Sequence, residues 1–285
     1  MNILNRGYME EKDCIIGFSS NYSWDIIKYW VNSLNRCGFT GDKVLIVGNC
    51  SSDTIKKIQS ENIFVIVAGQ LNEFGDAILN NNFAPHVERF FYLYHHLSQN
   101  SYRYVITTDV RDVIFQKNPI EYIEKLNPQN CIFSSESIRY RDEPWGNNNL
   151  KETFGDYIHG IFKDRLIYNV GILAGKYNSI MNLLMAIAAN SVNRPIKVCD
   201  QAVFNFLNWT SNSNNILLDS EDGWACNLGT TADPMKINDF RPYLIENVPI
   251  LRDDMVCTSN GNEFFIVHQY DRVPVWRNVL EKKYA

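Results

Sequence analysis

The chain has no C-x-x-C pair among its seven cysteines, which lie scattered at Cys14, Cys37, Cys50, Cys131, Cys199, Cys226 and Cys257. An odd, dispersed set argues against a disulfide framework and against a cysteine-ligated zinc, and it fits a reducing compartment. Long hydrophobic runs are also missing. Residues 183–189 are bounded by Asn182 and Asn190, and residues 63–68 are of strand length, so neither is expected to span a bilayer. There is no basic excess: Lys plus Arg number 27 against 32 Asp plus Glu, a net charge of -5 over 285 residues. That balance lacks the field of a general nucleic-acid binder, so an anionic ligand needs a local site. Residues 1–13 show no basic start followed by an apolar stretch. No secretory leader is therefore expected, and the expected location is cytoplasmic. Neither an internal repeat nor a low-complexity linker interrupts the chain. What is present is a globular mix, 45% hydrophobic and 21% charged, with 13% aromatics. It suffices for a sizeable core and offers flat faces for stacking.

Residues 14–18 form an apolar run that ends in Ser19-Ser20-Asn21, as a buried strand entering a polar turn does. Trp24, Ile27, Tyr29, Trp30 and Leu34 then recur at roughly helical spacing, residues 43–47 and 63–68 read as strands, and residues 52–61 as the helix between them. Strand, helix, strand, helix, strand predicts a parallel sheet with covering helices. A helix over 86–97 and a strand over 104–108 follow. Further on, the pattern predicts helices over 119–126, 177–189 and 200–209, and strands over 131–134, 169–174, 216–218 and 264–267. Residues 142–156, polar and rich in Asn, read as a mobile loop.

The sharpest feature is Thr107-Thr108-Asp109-Val110-Arg111-Asp112-Val113-Ile114, a buried strand running into two carboxylates. Ligands of open parallel sheets bind beyond the carboxyl ends of strands. Two aspartates there can hold Mn²⁺ or Mg²⁺ through oxygen and, through the cation, a phosphate. Arg111 between them can neutralise a carboxylate or reach a phosphate. The bland alternative is a solvated turn with Arg111 paired to one Asp.

This stretch resembles the strand-plus-D-x-D signature of GT-A-fold glycosyltransferases, nearest to the glycogenin-like and lipopolysaccharide-galactosyltransferase group, with D-x-x-D in place of D-x-D. Three later stretches resemble the same group in the same order. Tyr168-Asn169-Val170-Gly171-Ile172-Leu173 is similar to its N-x-G before a strand. Cys199-Asp200-Gln201-Ala202-Val203-Phe204-Asn205 is similar to its D-Q-x-x-x-N at a helix start. Val267-His268-Gln269-Tyr270-Asp271-Arg272-Val273-Pro274-Val275-Trp276 is similar to its closing His, basic residue, Pro and Trp, without the intervening Gly. Each also has a plain reading: a turn, a helix cap, a hydrogen-bonded His.

The resemblance implies one GT-A (Rossmann-like) α/β domain over residues 1–285, with a mixed, mostly parallel central sheet flanked by helices. Residues 14–115 would form its nucleotide-binding half and 116–285 its acceptor-binding half. It implies a metal held by Asp109, Asp112 and His268. It also implies a nucleotide-sugar donor, a UDP-sugar by family habit, bound by Phe18, Ser19, Ser20, Arg89, Asp109, Arg111, Asn169, Gly171, Gln201 and Arg272. The acceptor would be a glycan, and the transferred group a hexosyl or pentosyl unit. Asp200 or Asp222 is a candidate general base, or Asp200 a support for an oxocarbenium-like centre, with inversion and retention both open. Lys117 can add positive charge. Trp145 and Trp224 are candidate sugar-stacking rings, and either can instead be core. Two rival readings stand beside this one: an aspartate-dependent phosphatase, and a degenerate transferase that only binds glycan. A sugar-nucleotide pyrophosphorylase is disfavoured, because its Gly-rich, Arg- and Lys-containing loop is missing after the first strand.

Overall fold

The computed structural model describes residues 12–79, 84–211 and 213–285. Residues 1–11, most of the stretch read for a leader, lie outside them. The first half alternates as the apolar runs predict: β1 (Cys14–Ser20), α1 (Trp24–Arg36), β2 (Asp42–Gly48), α2 (Ser52–Ser60) and β3 (Phe64–Val67). Helix α1 buries Ile27, Trp30, Val31 and Leu34, the i, i+3, i+4, i+7 stripe of an amphipathic helix. Helix α2 starts at Ser51, whose hydroxyl accepts from the Thr54 N–H. A short ribbon, β4 (Gln70–Leu71) with β5 (Ala77–Ile78), precedes α3 (Pro85–Leu97). Then come β6 (Tyr104–Thr108), β7 (Val113–Phe115), α4 (Pro119–Leu126), β8 (Cys131–Arg139), α5 (Pro144–Phe162), β9 (Leu166–Tyr168) and β10 (Ile172–Lys176). Helices α6 (Tyr177–Ser191) and α7 (Asp200–Thr210) lead to β11 (Ile216–Leu218), β12 (Ala225–Asn227), α8 (Leu228–Thr231) and α9 (Ile237–Phe240). The chain closes with β13 (Ile250–Arg252), β14 (Met255–Cys257), β15 (Ile266–His268) and α10 (Pro274–Lys283). Among the described residues no helix is long and apolar enough to cross a membrane.

The main sheet has the order β11-β8-β10-β6-β1-β2-β3, with β9 beside β8. Strands β3, β2, β1 and β6 are parallel, and β10 runs antiparallel between β6 and β8. This is the mixed, mostly parallel sheet expected. Its two faces follow from the period-two alternation of strand side chains. Ile15, Leu45, Val47 and Ile106 pack with Ile27, Trp30, Ile55 and Ile58 of α1 and α2. Cys14, Ile16, Val44, Ile46 and Val105 pack on the other side with Phe90 and Leu93 of α3 and Ile180 and Leu184 of α6. Burial on both faces explains why these strands read as continuous apolar runs. Chain order reverses at β1, with β2 and β3 to one side and β6 to the other, so a crevice opens where β1 and β6 end.

A second sheet, β12-β15-β7, is stitched beside the first. The predicted loop over 142–156 is mostly helix α5, a correction with a local cause. Pro144 occupies the first turn and the Glu143 carboxylate caps the Gly146 N–H. Buried Leu150 and Thr153 anchor the helix, and Asn149 donates to the Val198 carbonyl at 2.7 Å. The predicted strand over 169–174 begins only at Ile172, because Asn169, Val170 and Gly171 form the turn before β10.

Trp30, fully buried, donates its indole N–H to the Thr108 hydroxyl at 2.9 Å and so ties α1 to the end of β6. Thr108→Val leaves that buried donor unpaired. It is expected to lower unfolding stability by about 1–3 kcal/mol, read as a shift of the urea midpoint at unchanged slope. An unshifted midpoint would show that the bond contributes nothing.

Candidate active site

Asp109 and Asp112 occupy the turn that joins β6 to β7, in the crevice at the reversal of strand order. Asp109 is pinned by its backbone, whose N–H donates to the Gly171 carbonyl at 2.7 Å. The second sheet delivers the third residue. Val113 of β7 registers with His268 of β15, and the Gln269 N–H donates to the Asp112 carbonyl at 2.7 Å. His268 Nε2 then lies 3.5 Å from Asp109 Oδ2 and 3.7 Å from Asp112 Oδ1. One ligand atom from each of the three residues falls within 4.8 Å of the others. Asn227, the register partner of His268 on β12, holds the imidazole Nδ1 through its Oδ1 at 3.0 Å. That bond aims Nε2 at the carboxylates, as an outer partner of a metal-ligating histidine does. Two carboxylate oxygens and one imidazole nitrogen suit Mn²⁺ or Mg²⁺, so the residues fit a divalent cation.

The charge around this cluster is shared out by Arg89 of α3. Its guanidinium bonds Asp109 on one side and Asp200, at 3.0 Å, on the other. Desolvation works against the Asp109 charge, but Arg89 and His268 hold its carboxyl well below the usual carboxylate range. Asp200, which opens α7, is pushed up by burial against the pull of Arg89. Burial likewise opposes a proton on His268, yet the neighbouring Asp109 and Asp112 raise its pKa. A proton on Nε2 would therefore occupy the place that a cation held by these three residues would take.

Gly171 explains its own identity. A Cβ there would meet Asp109 Oδ2 at 2.7 Å, His268 Cε1 at 2.7 Å and Asn169 Oδ1 at 2.9 Å. Asn169 accepts from the Gly171 N–H at 2.7 Å and donates to Glu136 at 2.7 Å. Gln201 donates to the same Glu136 oxygen at 3.1 Å. Asn205 exchanges two bonds with the Tyr168 backbone, at 2.9 and 2.8 Å, and so fastens α7 to β9. The D-Q-x-x-x-N string thus puts Asp200 on Arg89, Gln201 on Glu136, and Asn205 on the neighbouring strand.

Two cavities meet at the aspartates. One, of 560 Å³, is lined by Phe18, Ser20, Asn21, Tyr22, Arg89, Asp109, Arg111, Asp112 and Arg272. The other, of 370 Å³, shares the two aspartates and all three arginines and adds Glu136, Trp145, Asn169, Gly171, Gln201, Lys236 and His268. Arg111 pairs with Asp112 at 2.9 Å and Asp271 at 3.3 Å, and Arg272 keeps half of its side chain exposed over the cavities. Of the residues singled out in the sequence, Ser19 is buried and lines neither cavity. Asp222 lies outside both and caps a helical turn by accepting from the Asp219 N–H at 2.8 Å. Lys117 sits over the Phe265 ring, away from the cleft. Trp224 is fully buried core beside Tyr122 and Phe265, whereas Trp145 is 54% exposed on the cleft.

Glu136 and Tyr22 escaped sequence reasoning. A signal for Glu136 was present: Cys131-Ile132-Phe133-Ser134-Ser135-Glu136 is an apolar run followed shortly by a carboxylate, which lies inside the buried strand β8.

Neither a family model nor a curated protein sequence matches the chain. Among solved structures it is similar to the apo form of the WbbM bifunctional glycosyltransferase, with a TM-score of 0.62 at 12% identity over 99% of this chain. The match covers 51% of the WbbM chain, so this chain spans about half the length of that protein. At that identity the likeness establishes the fold, a Rossmann-like α/β fold of GT-A type.

Gly171→Ala inserts a methyl group against two of the three cluster residues, Asp109 and His268. It is expected to weaken Mn²⁺ binding at least about tenfold, the loss typical of disturbing a metal's supporting shell, as titrated by calorimetry. Unchanged affinity would mean that the cation does not sit among Asp109, Asp112 and His268.

Proposed function

We propose that the chain is a divalent-metal-dependent glycosyltransferase. It would move a hexosyl or pentosyl group from a nucleoside-diphosphate sugar, expected to be UDP-linked, to a hydroxyl of a glycan acceptor. The observation that carries this reading is the Asp109–Asp112–His268 cluster at the junction of two cavities, flanked by Arg111 and Arg272. An acidic cluster beside partly exposed guanidinium surface suits a diphosphate reached partly through a cation and partly through arginine.

In this reading residues 14–115 form the donor half and residues 116–285 the acceptor half. Phe18, Ser20 and Tyr22 offer a flat face and hydroxyls to a nucleoside in the larger cavity. Mn²⁺ or Mg²⁺ held by Asp109, Asp112 and His268 would supply Lewis-acid neutralisation of charge on the departing diphosphate. Arg89 keeps Asp109 ionised and oriented. Arg111 and Arg272 place fixed positive charge at the phosphates. Asn169 and Gln201 face the smaller cavity, where the transferred sugar would lie, and Trp145 offers an exposed ring to the acceptor. A phosphatase with a nucleophilic aspartate is disfavoured, because Asp109 is engaged by Arg89 and follows β6 rather than β1.

UDP with Mn²⁺ is expected to raise the melting temperature by about 4 °C or more at saturation, and UDP without metal far less. Asp112→Ala should remove the increment. No shift with any nucleoside diphosphate would overturn the transferase reading. Mn²⁺-dependent hydrolysis across a panel of sugar nucleotides would identify the donor, and binding without turnover of any donor would favour a glycan-binding relic.

A further inference from the structure

We propose that Glu136 is the proton acceptor for the incoming hydroxyl, a catalytic residue of the transfer; this rests on the glycosyltransferase reading. Glu136 lies within β8, where its pairing becomes irregular, is 5% exposed, and lines the cavity shared with the metal cluster. The backbone is bent to place it there. Ser137, the next residue, adopts a left-handed φ of 58°, and the pairing of β8 with β9 slips between Ser135 and Arg139. Irregularities of this kind re-aim side chains beside active sites. The Thr230 hydroxyl fastens the bend by donating to the Glu136 carbonyl at 2.8 Å.

The carboxyl is held from one side. Asn169 and Gln201 both donate to Oε1, while no hydrogen bond among the described residues reaches Oε2, which is left for a ligand. The other carboxylates of the cleft are committed elsewhere. Asp109 and Asp112 belong to the metal cluster, Asp200 is paired with Arg89, Glu143 caps α5, and Asp233 accepts from the Met235 N–H at 2.9 Å. Burial, with the like charge of Glu143 at the start of α5, pushes the Glu136 carboxyl up to about 7, against Asn169, Gln201 and the charge of His268 on β15. The phenol of Tyr140 also feels its charge. A base near neutrality is matched to this task.

In the step, the acceptor O–H bond breaks and its proton passes to Glu136. The oxygen's electron pair forms the bond to the anomeric carbon, and the anomeric carbon–oxygen bond breaks with its pair leaving on the diphosphate. Water can stand in for the acceptor, so donor hydrolysis reads the same group.

With the sugar nucleotide the wild type hydrolyses fastest, Glu136→Gln is expected to lower kcat at least about a hundredfold, with the donor KM within about threefold. The Mn²⁺-dependent thermal shift with UDP should persist, which shows the variant folded. Glu136→Asp should retain intermediate activity. Wild-type kcat should fall about tenfold per pH unit below about 7, because the base must be ionised, and should level off above it. A Glu136→Gln variant with near-wild-type kcat, or a wild-type profile flat between pH 6 and 8, overturns the assignment. A purely structural role would move KM and the UDP shift together with kcat, and that pattern also overturns it. Turnover of no donor by the wild type sinks the glycosyltransferase reading and this proposal with it, whereas turnover that survives Glu136→Gln sinks this proposal alone.

Discussion

Arg89 lies between two carboxylates, and the cleft depends on that sharing. Asp109, Asp112, Asp200 and Glu136 all border one cavity of 370 Å³. Unshared, so many acidic groups in a partly desolvated space would repel one another or take up protons. The guanidinium bonds Asp109 and Asp200 at once, with the geometry of a planar fork that a lysine lacks. Its own burial is unfavourable, and the two carboxylates compensate for it. From Arg89 the bonding runs on as a closed circuit. Asp200 opens the helix whose next residue, Gln201, reaches Glu136. Glu136 takes Asn169, Asn169 takes Gly171, and the Gly171 carbonyl returns to Asp109. Seven residues from five separate chain segments thereby fix one another, so the site is set by the fold rather than by any single loop.

The fold explains why these segments meet. Helix α3 is clamped against the sheet by Phe90 and Leu93, which presents Arg89 to the end of β6. Antiparallel β10 enters beside β6 through the Asn169–Gly171 turn and so brings a close-approaching backbone to Asp109. The second sheet brings His268 from more than 150 residues away by pairing β15 with β7. A strand-order reversal creates the crevice, and the antiparallel insertion and the second sheet furnish it.

Much of this was legible from residue pattern. The alternating strands and helices of the first half could be read because both strand faces are buried, which leaves uninterrupted apolar runs. The pair Asp109 and Asp112 stood out because carboxylates follow such a run directly. Helix α5 was not legible, because its Asn-rich sequence has poor helix propensity. The helix is set by Pro144, the Glu143 cap and tertiary burial of Leu150, none of which a local window weighs properly. The separation of Trp145 from Trp224 was equally out of reach: both sit in polar, turn-like sequence, and only packing against Tyr122 and Phe265 makes the second one core. Asp222 showed the converse failure. A carboxylate beside a Trp suggests chemistry, but in the structure Asp222 caps a short helical turn and lines neither cavity.

The circuit also separates two kinds of acidity. On the Arg89 side a carboxyl is held below the usual range by adjacent positive charge, and such a group stays ionised and can bind a cation at any ordinary pH. On the far side Glu136 receives no guanidinium, only two neutral amides, and burial leaves it to titrate near 7. Asn169 and Gln201 are therefore more than spacers. A lysine or arginine at either position would pull the Glu136 carboxyl down toward the range of Asp109, and an acidic residue would push it further up. Neutral donors at those two positions let one small cleft hold both a carboxylate kept ionised and a carboxyl that titrates near 7, the division that the proposed displacement of a charged leaving group by a hydroxyl would require.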